Sequence, residues 1–356
     1  STLDLAELTP ELSGTITGGG NLTVDASGGV VTLSNAANGF SGKTSVVGGT
    51  ISVASDTPLG AVPGSATADA ITLAGGTLRV TESFELDSNR GITLGIGGGS
   101  IEVASTKTLD YAGVIDGSNA LTKAGAGTLV LTGTNTATGT TTISAGTLQM
   151  GDGGTSGSLG AGGIINNAAL VYDRSDDITV NNLISGTGTF TKEGSNTLTL
   201  TANNTHSGTN TIADGTLVLS NDAPNPASKT FEGTGKLRIE SASDDFSGAF
   251  TLTGWTFGAT LTGLTIGKAD SAADGTSDAD VTLSSVINIA GPVSVYGKDI
   301  TVGQSLTATG DVLLSASGNF ITDNTARKTI VSNGGNVSIL ADSDATGTGR
   351  LDLDRL

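Results

Sequence analysis

Apolar residues recur along the chain in short runs whose length and alternation suit strands. Thr128-Leu129-Val130-Leu131, Leu198 with Leu200, and Val30-Val31 with Leu33 are examples, and Gly, Asn and Asp separate such runs. Helical periodicity is scarce, and there is little room for hairpin tails between runs. The pattern predicts strands of three to five residues joined by tight corners.

The runs also repeat. NGFSGKTSVVGGTISV from Asn38, NTATGTTTISAGTLQM from Asn135 and NTHSGTNTIADGTLVL from Asn204 align without gaps. Gly42, Gly139 and Gly208 correspond, as do Val46, Ile143 and Ile212, and then the pairs Gly49-Thr50, Gly146-Thr147 and Gly215-Thr216. A Gly ahead of a β-branched Thr predicts a corner of positive φ followed directly by extended chain. Upstream, IDGSNALTKAGAGTLVLT from Ile115 aligns with ISGTGTFTKEGSNTLTLT from Ile184 at the same offset. A variant copy starts at Leu12 and a degraded one at Gly233, so repeats cover most of residues 1–252.

Short strands that turn the same way copy after copy stack as the coils of a parallel β-helix, in which each coil pairs with its neighbours. The expected fold is therefore all-β, a right-handed parallel β-helix or β-solenoid shaped as an elongated rod. Inward Val, Ile and Leu would form aliphatic ladders, outward Thr and Ser would favour extended chain, and Asn or Gly would take the corners. Val46, Ile143 and Ile212 should all point inward. At roughly 20 residues per coil the chain would make roughly 17 coils, and at about 4.8 Å each a rod near 80 Å long.

The Leu-Thr-Lys strand, the Gly-Thr-Leu corner and the run from Asn135 to Leu148 resemble the autotransporter-associated β-strand repeat, best over residues 115–160. GGGSIEVASTKTLDYAGVIDG from Gly97 is similar to the family's segment ahead of Leu-Thr-Lys, and GGTSGSLGAGG from Gly153 looks like its closing loop. From about Gly291 the texture, with DITVGQSLTATGDVLLSASGNF, resembles haemagglutinin-like repeats of very large bacterial surface proteins. This divides the chain into a first solenoid stretch, 1–252, and a continuing one, 253–356. The resemblance implies an exported passenger or large adhesin and brings no catalytic residues with it. The chain shows no recognisable membrane barrel.

Composition narrows the function further. Gly contributes 55 residues, charged residues are 14% and aromatics 3%, far from an ordinary enzyme, while 36% apolar residues leave enough to bury. A net charge of -18 repels phosphate backbones and anionic membrane surfaces, which argues against nucleic acid as a partner. Cysteine is absent, so disulfides, thiolate metal sites and Cys nucleophiles are excluded. No stretch approaches the roughly 20 apolar residues of a spanning helix, and direct membrane insertion by this segment is not expected. The opening on Ser1, with no basic and apolar leader, reads as a piece of a longer protein.

Several motifs invite chemical readings. Ala37 to Thr44 fits a degenerate phosphate loop ending Gly42-Lys43-Thr44, but such a loop needs a following helix, and Ser45 to Gly49 continues as strand and corner. His206 is the sole histidine and reads as a surface residue at a variable place, opposite Phe40 and Ala137; it lacks partners for a zinc site or a nucleophile pair. Acids gather at Glu82, Glu85 and Asp87, at Asp173, Asp176 and Asp177, and at Asp270, Asp274, Asp278 and Asp280, where solvated loops outweigh a paired-acid cleft. Asp342, Asp344 and Thr346 with Gly347 resemble the opening of a calcium loop, although Leu353 stands where a bidentate Glu is expected. Calcium is thus the candidate ion, and no other cofactor is expected. Trp255, at the end of the degraded copy, reads as a ring filling a widened core.

The expected function is a structural or adhesive solenoid segment of a large bacterial protein, extracellular or at the cell surface, without enzymatic activity. Its expected partners are further copies of itself or a host-cell, cell-surface or matrix ligand. Two alternatives stand beside this: a carbohydrate-active β-helix enzyme, lyase or hydrolase, and a calcium-dependent matrix or filament subunit.

Overall fold

A computed structural model describes residues 2–4, 9–220, 229–242, 246, 248–269, 279–323, 326–341 and 351–352, and among them no α-helix occurs. One 3₁₀ turn, Thr57–Leu59, is the sole helical element there. Among the described residues the strands pair in parallel, as the repeats require. The chain is a β-solenoid of about 15 turns. That is fewer than the sequence spacing suggests, because coils vary in length. Thr128 pairs with Thr147 a short coil later, whereas Leu264 reaches its partner Val293 only after a much longer one.

The chain forms two compact units, Ser1–Arg174 with Asn182–Thr189, and Ser175–Asn181 with Phe190–Leu356. In the first unit, Thr77–Val80, Gly99–Val103, Leu121–Ala124, Thr141–Ile143 and Ile164–Asn166 stack on one side. Phe84–Leu86, Thr108–Tyr111, Thr128–Leu131, Thr147–Met150 and Ala169–Asp173 stack on another. The period-2 pleat puts alternate residues inside, so Leu109, Leu129, Leu148 and Leu170 lie in register as one fully buried ladder. Early in this unit Thr44–Val53 runs round a corner at Gly49, whose φ is 71°. Its first half pairs with Ile71 to Leu73 and its second with Thr77–Val80.

In the second unit the longest ladder joins Leu198, Leu217, Leu237, Leu264, Val293 and Val312, all buried. A second stack runs Asn210–Ile212, Thr230–Gly233 and Thr256–Phe257. A third runs Phe250–Leu252, Val281–Leu283, Ile300–Val302 and Phe320–Thr322. Outward positions of these strands are mainly Thr, Ser and charged residues, which matches the expected division of chemistry between faces.

Candidate functional site

The repeat frame is where sequence and structure meet most directly. Val46, Ile143 and Ile212 are all fully buried, so the three copies present equivalent residues to the core. Gly49, Gly146 and Gly215 have φ of 71°, 67° and 65°, the left-handed corner that precedes each Thr. A side chain at Gly146 would also collide with the carbonyl oxygen of Gly127, 2.3 Å from where its Cβ would sit.

The frame's Asn residues are buried at the corners, and two of them, Asn38 and Asn135, serve as joints between coils. Asn38 accepts from the Ile16 amide of the coil before (2.9 Å) and donates to the Pro58 carbonyl of the coil after (2.9 Å). Asn135 repeats this, accepting from the Ile115 amide (2.7 Å) and donating to the Ser158 carbonyl (2.7 Å). A buried main-chain amide or carbonyl is costly without a partner, and these side chains supply one at the corners. Asn204 is buried at the matching place.

Sequence reasoning missed the buried cations. Lys123 stands in register between Ile101 and Ile143 in an inward ladder and is fully buried. Its ammonium donates to the carbonyls of Ala124 (2.8 Å), Gly125 (2.8 Å) and Ala145 (3.1 Å). Lys192, its counterpart in the later Phe-Thr-Lys strand, donates to Glu193 and Gly194 carbonyls and to Asn196 Oδ1. Burial lowers the Lys123 pKa to about 8, with Glu102 pulling the other way, and burial lowers Lys229 to about 8. A signal was present: in Leu121-Thr122-Lys123 the lysine holds the inward phase set by the leucine two positions earlier.

Arg90 is a further buried cation. Its five N–H donors meet both carboxylate oxygens of Asp56 (2.8 and 3.2 Å) and the carbonyls of Leu59, Gly60 and Ala61. That accounts for the whole donor capacity of a guanidinium.

His206 corrects the sequence reading. It is buried rather than on the surface, with Nε2 2.7 Å from Asn210 Oδ1 and its ring 5.9 Å from that of Phe190. The aligned Phe40 and Ala137 are buried too, so the column is an interior one.

The sequence-marked acids that lie among the described residues do not converge. Among the described residues no three His, Asp or Glu side chains are placed to share a metal ion. Glu82 is exposed and pairs with Lys107. Asp87 accepts from the Asn89 amide in a turn, and Asp177 from the Thr197 amide of the following coil. Glu85 and Asp173 lie on strands rather than in loops. Asp280 is exposed, while Asp270, Asp274 and Asp278 lie outside the described residues. So do the calcium candidates Asp342, Asp344 and Thr346. At the phosphate-loop look-alike, Lys43 is exposed and paired with Asp69, and Thr44–Val53 follows as strand. Trp255 is buried against Phe231 (5.3 Å between centroids) and Phe257 (6.3 Å), as a core-filling ring should be.

What the geometry offers, then, is a regular interior and polar outward faces, with no constellation of nucleophile, base and acid among the residues singled out. No helix among the described residues is long and apolar enough to cross a membrane. The family model of the passenger-associated-transport repeat matches residues 24–53, 121–150 and 190–219, the segments that contain the three aligned copies. The chain is also 36% identical over 213 residues to the adhesin BmaC autotransporter of Brucella suis biovar 1 (strain 1330). That alignment covers 59% of this chain and 6% of the relative, so the chain spans a small part of the protein it matches. No solved structure matches. The autotransporter-type resemblance read from the repeats is therefore supported by two independent comparisons.

Proposed function

We propose that a chain carrying three passenger-associated-transport repeats works as an adhesive, non-enzymatic solenoid segment displayed at a bacterial cell surface. The observation that carries this is the coincidence of the three matched repeats with the three aligned copies whose buried Asn residues, positive-φ Gly corners and aliphatic ladders build the interior. Similarity to an autotransporter adhesin supports the surface location and the adhesive role. In such a segment the repeats build a scaffold, and the outward side chains of successive coils form the contact surface.

The test is retention under flow. Beads coated with the purified chain should stay on host-cell monolayers or matrix-coated glass several-fold more than beads coated with an unrelated protein of equal negative charge. Equal retention on every surface would overturn the adhesive reading. Depolymerisation of a polysaccharide by the purified chain would replace it with the enzymatic one. Antibody access to the segment on intact cells of the producing bacterium tests its display.

A further inference from the structure

A groove of about 220 Å³ opens on the outward side of the second unit, across the strands Thr216–Ser220, Lys236–Glu240, Gly263–Ile266 and Val293–Gly297. Its origin lies in the register. Thr216, Lys236 and Gly263 stand side by side across these strands on the outward phase of the pleat. At Gly263 that row has no side chain, which leaves a dip beside Lys236. The adjoining row of the pleat holds Val218, which is buried, then Arg238, Thr265 and Ser294, and these last three line the groove together with Lys236, Thr216 and Pro292.

The geometry points to this groove as a binding site for an acidic saccharide, a sugar carrying carboxylate or sulfate groups. Two cations two positions apart on one strand face the groove in a chain of net charge -18. Both are exposed. Arg238 shares one terminal nitrogen with Glu240, and no ion pair among the described residues involves Lys236. A guanidinium offers five donors and an ammonium three, so capacity remains for an anion. The walls set the hydroxyls of Thr216, Thr262, Thr265 and Ser294 among Leu237, Leu264 and Pro292, a mixed lining without aromatic rings that suits the hydroxyls and C–H faces of a sugar. The site deepens the adhesive reading, on which its biological use rests, by naming the class of ligand.

Gly263 permits a test that is separate from charge. Its φ is not in the left-handed region, and an added Cβ would meet only the flexible Lys236 stem, 3.3 Å from its Cγ. Gly263→Thr should therefore fill the dip while keeping the strand. Calorimetric titration of the whole chain with a sulfated disaccharide, a uronate tetrasaccharide and short poly-glutamate should show binding of at least one of the two saccharides, and tighter than poly-glutamate. Lys236→Gln and Arg238→Gln should each weaken it about tenfold, the scale of one charge-assisted contact. Gly263→Thr should weaken it similarly with an unchanged melting profile.

No binding of either saccharide, equal binding of poly-glutamate, or full binding by Gly263→Thr and by the double Lys236→Gln/Arg238→Gln variant would each overturn the proposal. Bead retention by those variants separates the two readings. Retention without saccharide binding removes the groove alone, and saccharide binding without retention removes the adhesive role alone.

Discussion

Two coils lengthened to the same extent are closed in opposite ways. In the first unit Thr50 pairs with Thr77, and in the second Lys236 pairs with Gly263, an equal distance along the chain. The first insertion leaves the aliphatic interior unchanged, since Ile51 and Val53 stay in register with Leu78 and Val80. Its extra residues form the Thr57–Leu59 turn, clamped from the side by Arg90 of a later strand. The second also keeps its ladder, with Leu237 and Ile239 in register with Leu264 and Ile266, but its extra residues turn inward, where Trp255 and Phe257 pack together with Phe231. A solenoid can thus absorb added length through a polar clamp outside the ladder or through larger rings inside it. The two solutions should fail differently.

The largest expected effect is at the rings. Trp255→Ala should cost about 3–5 kcal/mol through lost burial and a cavity the stacked coils cannot close. Hydrogen exchange should show the loss concentrated in strands 230–233, 256–257 and 263–266, and exchange unchanged there would break the comparison. Arg90→Met should cost less, about 2–3 kcal/mol. Removing one member of a fully buried pair costs about 3–5 kcal/mol, but Asp56 keeps 16% exposure and can be rehydrated. Faster exchange should be confined to residues near 56–61 and 90, and a collapse of the neighbouring ladder would show that the clamp supports the interior after all.

A third expected effect concerns pH in the regular coils between these extremes. The folded pKa of Lys123 is lowered to about 8 from its ordinary value of 10.5, so between these values the unfolded chain binds the extra proton. Stability therefore rises as pH rises through that window, and below it the folded state carries the cost of a buried charge. The difference in unfolding free energy between the wild-type chain and Lys123→Met, followed from about pH 7.5 to about pH 10.5, should move in favour of wild type. A flat difference would mean that the three carbonyl contacts offset the desolvation entirely.

The architecture was legible because it rests on spacing. Gly49, Gly146 and Gly215 mark the corners by a conformation open mainly to glycine, and the apolar runs between them have one consistent phase. Chemical identity was a poorer guide inside the frame. His206 looks like a surface residue by type, while its column, with Phe40 and Ala137, is apolar, and the column decides its burial. Lys123 and Lys192 mislead in the same way. A long polar side chain can occupy an inward position when corner carbonyls lie within its reach, and one-dimensional spacing does not reveal where those carbonyls gather. The groove beside Gly263 was equally hidden, since it depends on which residue of each coil stands next to which. Coils of unequal length scramble that correspondence.

The Asn joints bear on how such a chain could lengthen over generations. Asn38 and Asn135 grip only main-chain atoms of the adjoining coils, an amide on one side and a carbonyl on the other. Every residue except proline supplies both groups, so the joint is blind to the side chains of its neighbours. A duplicated or deleted stretch of gene that keeps whole coils would meet compatible joints at both seams, without matched mutations elsewhere. Variation in copy number is then inexpensive, while the outward positions remain free to diverge.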